Sequence, residues 1–393
     1  MSINVTAVQQ MLHTYELDGW LLYDFQGSNP IATKLAGLKP GTHMTTRRWY
    51  YLIPAEGQPQ GLVHAIERCN LDALPGEKTL YSGREQLDTG LSSLLTGLKR
   101  VAMEYSPSCA IPYLSRVDAG TAEAIRAHGI DIVSSENLVQ QFEATWTTTQ
   151  LASHQAASKA LYRIKDRAFD AVIKALKDKL PVSEYDIQQM MLEWFNEEGL
   201  ISDSAPVVAC GKNSGNPHYL PTATQTKSIE PNSILLLDLW GKTLTLGSVF
   251  ADITWVGYTG QQVPEVYVRA FDAIAKGRDT AIALVQDSFR NGRELCGWEV
   301  DRATRDMMIR TGYIDRILHR TGHSLGETVH GNGVHLDDYE THDSRQIVAG
   351  TGFTIEPGLY FKDFGVRTEI NMFCSKNEAT VTGPKQSAIV TLS

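Results

Sequence analysis

The sequence predicts two domains, a smaller α/β domain followed by a larger α+β domain, on three observations. At 393 residues the chain exceeds what one hydrophobic core usually organises. Residues 1 to about 143 alternate short helical patterns with apolar strand-like runs, as a small α/β layer requires. The remainder reads helix, helix, strands, helix, helix, strands, an order that hints at internal duplication of one α+β unit without a residue-level repeat to prove it.

In the first half the strand candidates are GWLLYDF, RWYYLIP, GLVHAI and RVAMEY. His13, His43, His64 and His128 are scattered there without ligand-like spacing, so structural or surface roles are expected for them. From about 144 the pattern becomes one long helix, QLASHQAASKALYRIKDRAFDAVIKALKDKL, which Pro181 stops; the domains are expected to be 1–145 and 146–393. Ser183 and Asp186 form a capping pair for the next helix, IQQMMLEWFNEEG, whose Met and aromatic residues read as core and whose C-cap Gly199 suits. VVACG follows, then SILLLDLWG and VFADITWVGYTG as a hairpin within a sheet. Two more helical patterns, VYVRAFDAIAKGRDTAIALVQDSF and WEVDRATRDMMIRTG, precede a return to strands in GFTIEPGLYF and GVRTEINMFC.

Charge bounds the partners. Lysine plus arginine number 36 against 45 acidic residues, and a net charge of −9 argues against a surface built for nucleic acid or anionic lipid. The cysteines Cys69, Cys109, Cys210, Cys296 and Cys374 are odd in number and form no C-x-x-C pair, so neither a disulfide framework nor a zinc knuckle is indicated and a reducing compartment fits. The first twenty residues lack a basic end followed by an apolar core, and no stretch approaches eighteen uninterrupted apolar residues. A cytoplasmic protein with no membrane partner is expected.

Chemistry concentrates in the second half. Asp238 in ILLLDLW, Asp252 in VFADITW, Glu356 in FTIEPGLYF and Glu369 in VRTEINMF each place a carboxylate in an apolar run, where an uncompensated charge is costly. Any one alone could pair with a cation such as Lys242 or accept hydrogen bonds from a loop. Four on strands of one expected sheet call for a counter-charge, and two divalent ions, roughly 3.5–4 Å apart under bridging carboxylates, supply it. Nitrogen ligands are expected from HRTGHSLGETVHGNGVHLDDYETH, which holds His319, His323, His330, His335 and His342. Gly322, Gly326, Gly331 and Gly333 are expected to permit turns that aim the imidazoles, with His335 and His342 at the surface or behind the ligands.

Taken in order, DLWG, FADITW, GHSLGETVH, TIEPGLY and VRTEIN resemble the prolidase, aminopeptidase P and creatinase branch (M24B) of the metallopeptidases. The resemblance spans about 205–375, and the preceding half is similar, more loosely, to that branch's creatinase-type amino-terminal domain. It implies a pita-bread catalytic domain in which Asp238 holds one metal, Asp252 and Glu369 bridge both, and His323 with Glu356 completes the second. It also implies a bridging water or hydroxide as nucleophile, with Glu356 as proton shuttle. His330 would steady the substrate carbonyl, His218 and His319 would contact substrate, and Arg367 would anchor the hydrogen bonds of the site.

Certain positions depart from the resemblance. Fourteen positions separate Asp238 from Asp252, so a longer hairpin turn is expected. Gly331 follows His330, and Ile370 and Asn371 follow Glu369, where the branch commonly has acidic residues; ATWTTTQLASHQ lacks an arginine and lysine that often open the second domain. The resemblance implies hydrolysis of Xaa-Pro bonds at an amino terminus, as a dipeptidase on small proline-containing peptides or as an aminopeptidase on longer ones. The ions would be manganese, with cobalt or zinc able to occupy the same donors, and the assembly a homodimer. Creatinase-like cleavage of an amidine, which does without metal, and a binding module that has lost catalysis are the other readings; five intact ligand positions count against both.

Overall fold

The computed structural model describes residues 3–39 and 42–393. The chain forms two compact units, Met1–Glu143 and Ala144–Ser393. Among the described residues of the first, six strands make one sheet in the order Glu77–Tyr81, Gln60–His64, Trp49–Pro54, Gly19–Asp24, Arg100–Met103, Asp131–Ser134. Five run in one direction and Trp49–Pro54 runs against them. Gly19–Asp24 is buried at every position, as a strand covered on both faces must be. Trp20 and Leu22 pack with Val8, Leu12 and Ile31 on one side, and Leu21 and Tyr23 with Leu91, Leu94 and Ile125 on the other.

In the second unit the helix Thr148–Lys177 opens on a reciprocal cap. The Thr147 hydroxyl accepts from Gln150 N, and the Gln150 side-chain Oε1 accepts from Thr147 N. Its stripe of Leu161, Ile164, Ala168 and Val172 packs on Leu235, Leu237 and Leu239 of the strand Ile234–Thr243. Ser183 and Asp186 cap Glu184–Glu197, and Gly199 just beyond it has φ +66°, the left-handed geometry that glycine adopts freely. Further on, Glu265–Asn291 and Gly297–Arg310 repeat the pairing of a long helix with one of 14 residues. That element order matches the duplication hinted at by the sequence.

Ile234–Thr243 pairs antiparallel with Ala251–Tyr258, Val207–Cys210 and Leu200–Ile201, and Val390–Thr391 closes the far edge of this sheet. The turn at 244–250 is the extended hairpin link, with Leu244 and Leu246 exposed on it. A second sheet runs Ser324–Leu325, Gly352–Ile355, Ile370–Cys374, Ala379–Val381, and Gly358–Tyr360 pairs separately with Gly365–Arg367.

The four acids therefore do not share one sheet, which corrects the sequence expectation; Asp252 and Glu369 are buried, Asp238 and Glu356 half-buried. Asp238 and Asp252 lie on strands of the first; Glu356 falls just after Gly352–Ile355, and Glu369 between Gly365–Arg367 and Ile370–Cys374. Pro357 offers no N–H to continue a ladder, so the chain breaks there. The backbone at these breaks bonds elsewhere: Glu356 N donates to Thr321 O at 2.7 Å and Glu369 N to Thr254 O at 3.2 Å.

Candidate metal centre

Strand alternation assembles the site. Leu235, Leu237 and Leu239 face the helix Thr148–Lys177, so Asp238 shares the opposite face with Ile234 and Leu236, which pack with Leu359 and Val366. On the neighbouring strand Thr254 lies directly across from Asp238 and Asp252 across from Trp240. Asp238 and Asp252 are thus diagonal neighbours on one face.

Asp252, His323 and Glu369 converge, each offering one donor atom within 4.8 Å of the others. All three are nearly inaccessible, at 5%, 3% and 2% exposure. His323 Nε2 stands 3.6 Å from Asp252 Oδ2 and 3.4 Å from Glu356 Oε1, while its Nδ1 faces Ser324 O at 3.1 Å. Only a protonated Nδ1 can bond that carbonyl, so in the neutral ring the Nε2 lone pair faces the carboxylates. Burial lowers the pKa of His323 and favours the neutral ring.

Two oxygens at the centre, Asp252 Oδ1 and Glu369 Oε1, are buried without a hydrogen-bond partner. Desolvation, followed by their mutual repulsion for Glu369 and by Asp238 and Glu356 for Asp252, holds both carboxyl groups well above the usual range. Unpaired buried carboxylate oxygens beside an imidazole lone pair form an oxygen-rich donor set that fits a divalent cation of the manganese, cobalt or zinc type.

Arg367 organises the rest. Its guanidinium is buried, forms an ion pair with Asp238 Oδ2, donates through Nε to Thr254 Oγ1 at 3.0 Å and through Nη1 to the Tyr360 hydroxyl at 2.9 Å. The Thr254 hydroxyl in turn donates to Glu369 Oε2 at 2.7 Å. The cation beside Asp238 is therefore Arg367; Lys242, the candidate suggested by the sequence, donates instead to Glu327 O at 2.6 Å. Asn371 spans the two sheets, accepting from Asp252 N at 2.9 Å through Oδ1 and donating to Asp252 O through Nδ2.

The histidines divide by environment. His330 stands edge-on to His323, with 4.2 Å between ring centroids, and is exposed. Desolvation where its ring meets His323, with the His323 ring, Arg320 and His218 nearby, pushes its pKa down to about 3. His218 is exposed and close enough to His330 to act on it electrostatically. His319 has both ring nitrogens engaged, by Arg320 O at 2.7 Å and the Tyr360 hydroxyl at 2.8 Å, so it reaches the centre through Tyr360 and Arg367. His335 is buried behind His323, where its Nδ1 accepts from Ser324 N at 3.1 Å, whereas His342 is exposed, stacked on Trp298 and bonded to Asp338.

Gly322, Gly331 and Gly333 serve close approach rather than left-handed turns. None of Gly322, Gly326, Gly331 and Gly333 has a positive φ. At Gly322 a β-carbon would lie 2.0 Å from Thr354 O, and at Gly333 2.7 Å from Ser324 Oγ, so close approach of neighbouring chain is what demands glycine. Sequence reasoning passed over Thr254 and Tyr360, and met Asn371 only as a departure from the resemblance. The available signal was position: Thr254 follows Asp252 and Asn371 follows Glu369 by two residues.

A buried carboxylate and imidazole cluster on paired sheets defines the chain as a candidate metal-dependent hydrolase. Residues 156–376, more than half of it, match metallopeptidase family M24, and the chain belongs to that family. It is 26% identical over 210 residues to the Xaa-Pro dipeptidase of Lactobacillus helveticus, a match covering 51% of this chain and 49% of that protein. The match thus spans about half the length of this curated relative. Among solved structures, dipeptidase PepE from Mycobacterium ulcerans superposes with a TM-score of 0.73 at 18% identity, covering all of both chains. The X-Pro aminopeptidase from Thermotoga maritima does so with 0.63 at 16% identity, again over both chains entirely. These likenesses show the fold, an α+β pita-bread architecture in the carboxy-terminal unit.

Proposed function

We propose that this protein is an Xaa-Pro dipeptidase of the prolidase type. The observation that carries the reading is the convergence of Asp252, Glu369 and His323, each with a donor atom within 4.8 Å of the others, while one oxygen of each acid is buried without a hydrogen-bond partner. The Lactobacillus helveticus relative and the PepE neighbour, both named as dipeptidases, favour dipeptides. Asp238, Asp252, His323, Glu356 and Glu369 would hold two divalent ions, manganese by the oxygen-rich donor set. Bound there, the ions supply Lewis acidity that lowers the pKa of water and polarises the scissile carbonyl.

The protein's own groups do the remaining work. Glu356, with Oε1 beside His323, takes a proton from the attacking water and returns it to the leaving nitrogen. His330, neutral and open on one edge, donates a hydrogen bond to the carbonyl oxygen as charge develops there. His218, exposed nearby, contacts the peptide. His319 holds the Tyr360 hydroxyl, which with Thr254 fixes Arg367 and, through it, Asp238. A cytoplasmic homodimer completes the reading; the five free cysteines suit a reducing compartment, and no helix of the described residues is long and apolar enough to cross a membrane.

The second reading, an Xaa-Pro aminopeptidase acting on longer peptides, is favoured by the Thermotoga maritima neighbour. Hydrolysis of Ala-Pro, Ala-Pro-Ala and Ala-Ala by metal-stripped protein, with and without manganese and alongside Glu369→Ala, separates them. Manganese-dependent cleavage of Ala-Pro alone is expected. Cleavage of the tripeptide as well moves the assignment to the aminopeptidase, and no cleavage with manganese, cobalt or zinc overturns the peptidase reading in favour of a binding module.

A further inference from the structure

The amino-terminal unit holds a second concentration of charged chemistry that peptide hydrolysis leaves unused. Five of its six strands, all but Trp49–Pro54, end with their carboxyl termini at one edge of the sheet. A cavity of about 670 Å³ opens there, lined by residues from the ends of Gly19–Asp24, Gln60–His64 and Glu77–Tyr81. In open sheets flanked by helices, the crevice outside the carboxyl ends of the strands is where small ligands bind. The volume is that of a small-molecule site.

Its charge is unusual for this chain. Arg47 and Arg48, immediately before Trp49–Pro54, and Arg84, the first residue of the helix Arg84–Leu95, all line the cavity, with Asp118 as the one lining carboxylate. Asp118 is already committed, accepting from Thr121 N at 2.9 Å and Thr121 Oγ1 at 2.7 Å as the cap of Ala119–Arg126. The Arg47 guanidinium bonds only to Thr46, and those of Arg48 and Arg84 have no ion-pair partner among the described residues. Three exposed arginines without an ion-pair partner among the described residues thus line one concavity in a chain of net charge −9.

The surroundings are built to receive an anion. Gly83 is the N-cap of Arg84–Leu95 and has no side chain to cap it; Gln86 Oε1 accepts from Ser82 N at 2.8 Å and Gly83 N at 3.3 Å, which leaves only the N–H groups of Arg84, Glu85 and Gln86 for an outside acceptor. Tyr23 and Tyr50, buried with ring centroids 5.0 Å apart, form a rigid floor. Phe25, 41% exposed, stands in the lining as a flat apolar face. His64 is not free to ligate: its Nδ1 accepts from Ile66 N and its Nε2 faces Ser82 O at 3.1 Å.

We propose that this cavity binds a small phosphate ester of mononucleotide size. The phosphate sits on Arg47, Arg48, Arg84 and the first turn of Arg84–Leu95, and the planar ring lies against Phe25. Guanidinium forks match phosphate oxygens two at a time, and a dianion answers three cations and a helix terminus better than a single carboxylate does. The site lies wholly within the first unit, so the proposal and the peptidase reading can fail separately.

The test is calorimetric titration of the full-length, metal-free protein with adenosine monophosphate, adenosine and inorganic phosphate. Adenosine monophosphate is expected to bind, inorganic phosphate to bind more weakly, and adenosine not to bind. Arg48→Ala with Arg84→Ala should weaken nucleotide binding about tenfold or more, and the matching lysine pair by an intermediate amount, with Ala-Pro hydrolysis and the thermal midpoint unchanged. No binding of the nucleotide, binding no tighter than that of inorganic phosphate, or binding that survives the double alanine variant would each overturn the proposal.

Discussion

Replacing Glu369 by glutamine should make the protein more stable without metal and less responsive to metal. Glu369 Oε1 is buried, unpartnered and close to Asp252, while Oε2 already accepts from Thr254. A glutamine can keep the Thr254 bond through its carbonyl and turn its amide toward Asp252, so an uncompensated charge becomes a donor. An unsatisfied buried group of this kind costs about 1–3 kcal/mol, which corresponds to a rise in thermal midpoint of roughly 2–12 °C for a unit this size. Metal at a thousandfold excess over its dissociation constant adds about 4 kcal/mol to the wild type; a hundredfold loss of affinity shrinks that increment to about 1.4 kcal/mol.

The sign with pH follows from the raised carboxyl pKa. The folded chain holds more protons here than the unfolded one, so this group's contribution to stability in chelator declines as pH rises above about 4.3, and the glutamine variant should lose that decline. Thermal unfolding in EDTA and in manganese, over a pH series, reads all three effects. A lower midpoint than wild type in EDTA, or an undiminished manganese increment, would show that Glu369 is a structural carboxylate, and the metal centre would have to be abandoned.

Other perturbations read other parts of the molecule. His154, buried with Nδ1 on Phe250 O and Nε2 on Thr382 Oγ1, has its pKa pushed down to about 4 by desolvation. Its contribution is whole above the unfolded value of about 6.5 and falls by about 3 kcal/mol as pH drops to 4; His154→Asn should flatten the acid limb of a denaturation series. Gly322→Ala forces a β-carbon to 2.0 Å from Thr354 O, and should cost about 1–3 kcal/mol in chemical denaturation and weaken metal binding measured by calorimetry, because His323 is the next residue. His330→Ala should lower kcat for Ala-Pro about 10²–10³-fold with metal content unchanged, and an unaltered kcat would remove His330 from catalysis. Arg367→Leu should cost about 3–5 kcal/mol in chelator by leaving Asp238 unpaired, with manganese restoring more of the midpoint than it adds to wild type.

Much of the fold was legible because its signals are local. The capping pair Ser183–Asp186, the stop before Pro181 and the carboxylates inside ILLLDLW and VFADITW depend on neighbours within a turn or a strand. What depends on register was not. Thr254 meets Glu369 across 115 positions, and Asn371 meets the backbone of Asp252 across 119, through pairings that no spacing announces. The division of the acids between sheets was hidden for the same reason, since an apolar run shows that a strand is buried but not which neighbour it bonds. Lys242 was one cation within reach in sequence that could pair with an acid such as Asp238; Arg367 holds that place because the folded sheets bring it there.

The arrangement of charge explains why the donor cluster is drawn tight at one end. Arg367 compensates Asp238, and its hydrogen bonds to Tyr360 and Thr254 fix it in place, so that carboxylate is stable in the protein by itself. Asp252 and Glu369 form no ion pair with a lysine or arginine among the described residues: Asn371 fixes the backbone of one and Thr254 one oxygen of the other, leaving on each a buried oxygen without a hydrogen-bond partner. The protein therefore spends its internal cation on one acid and holds two others rigid and uncompensated. Rigid, like-charged oxygens beside a neutral imidazole oppose folding unless a cation joins them, and in the proposed metal centre that opposition would be the source of affinity.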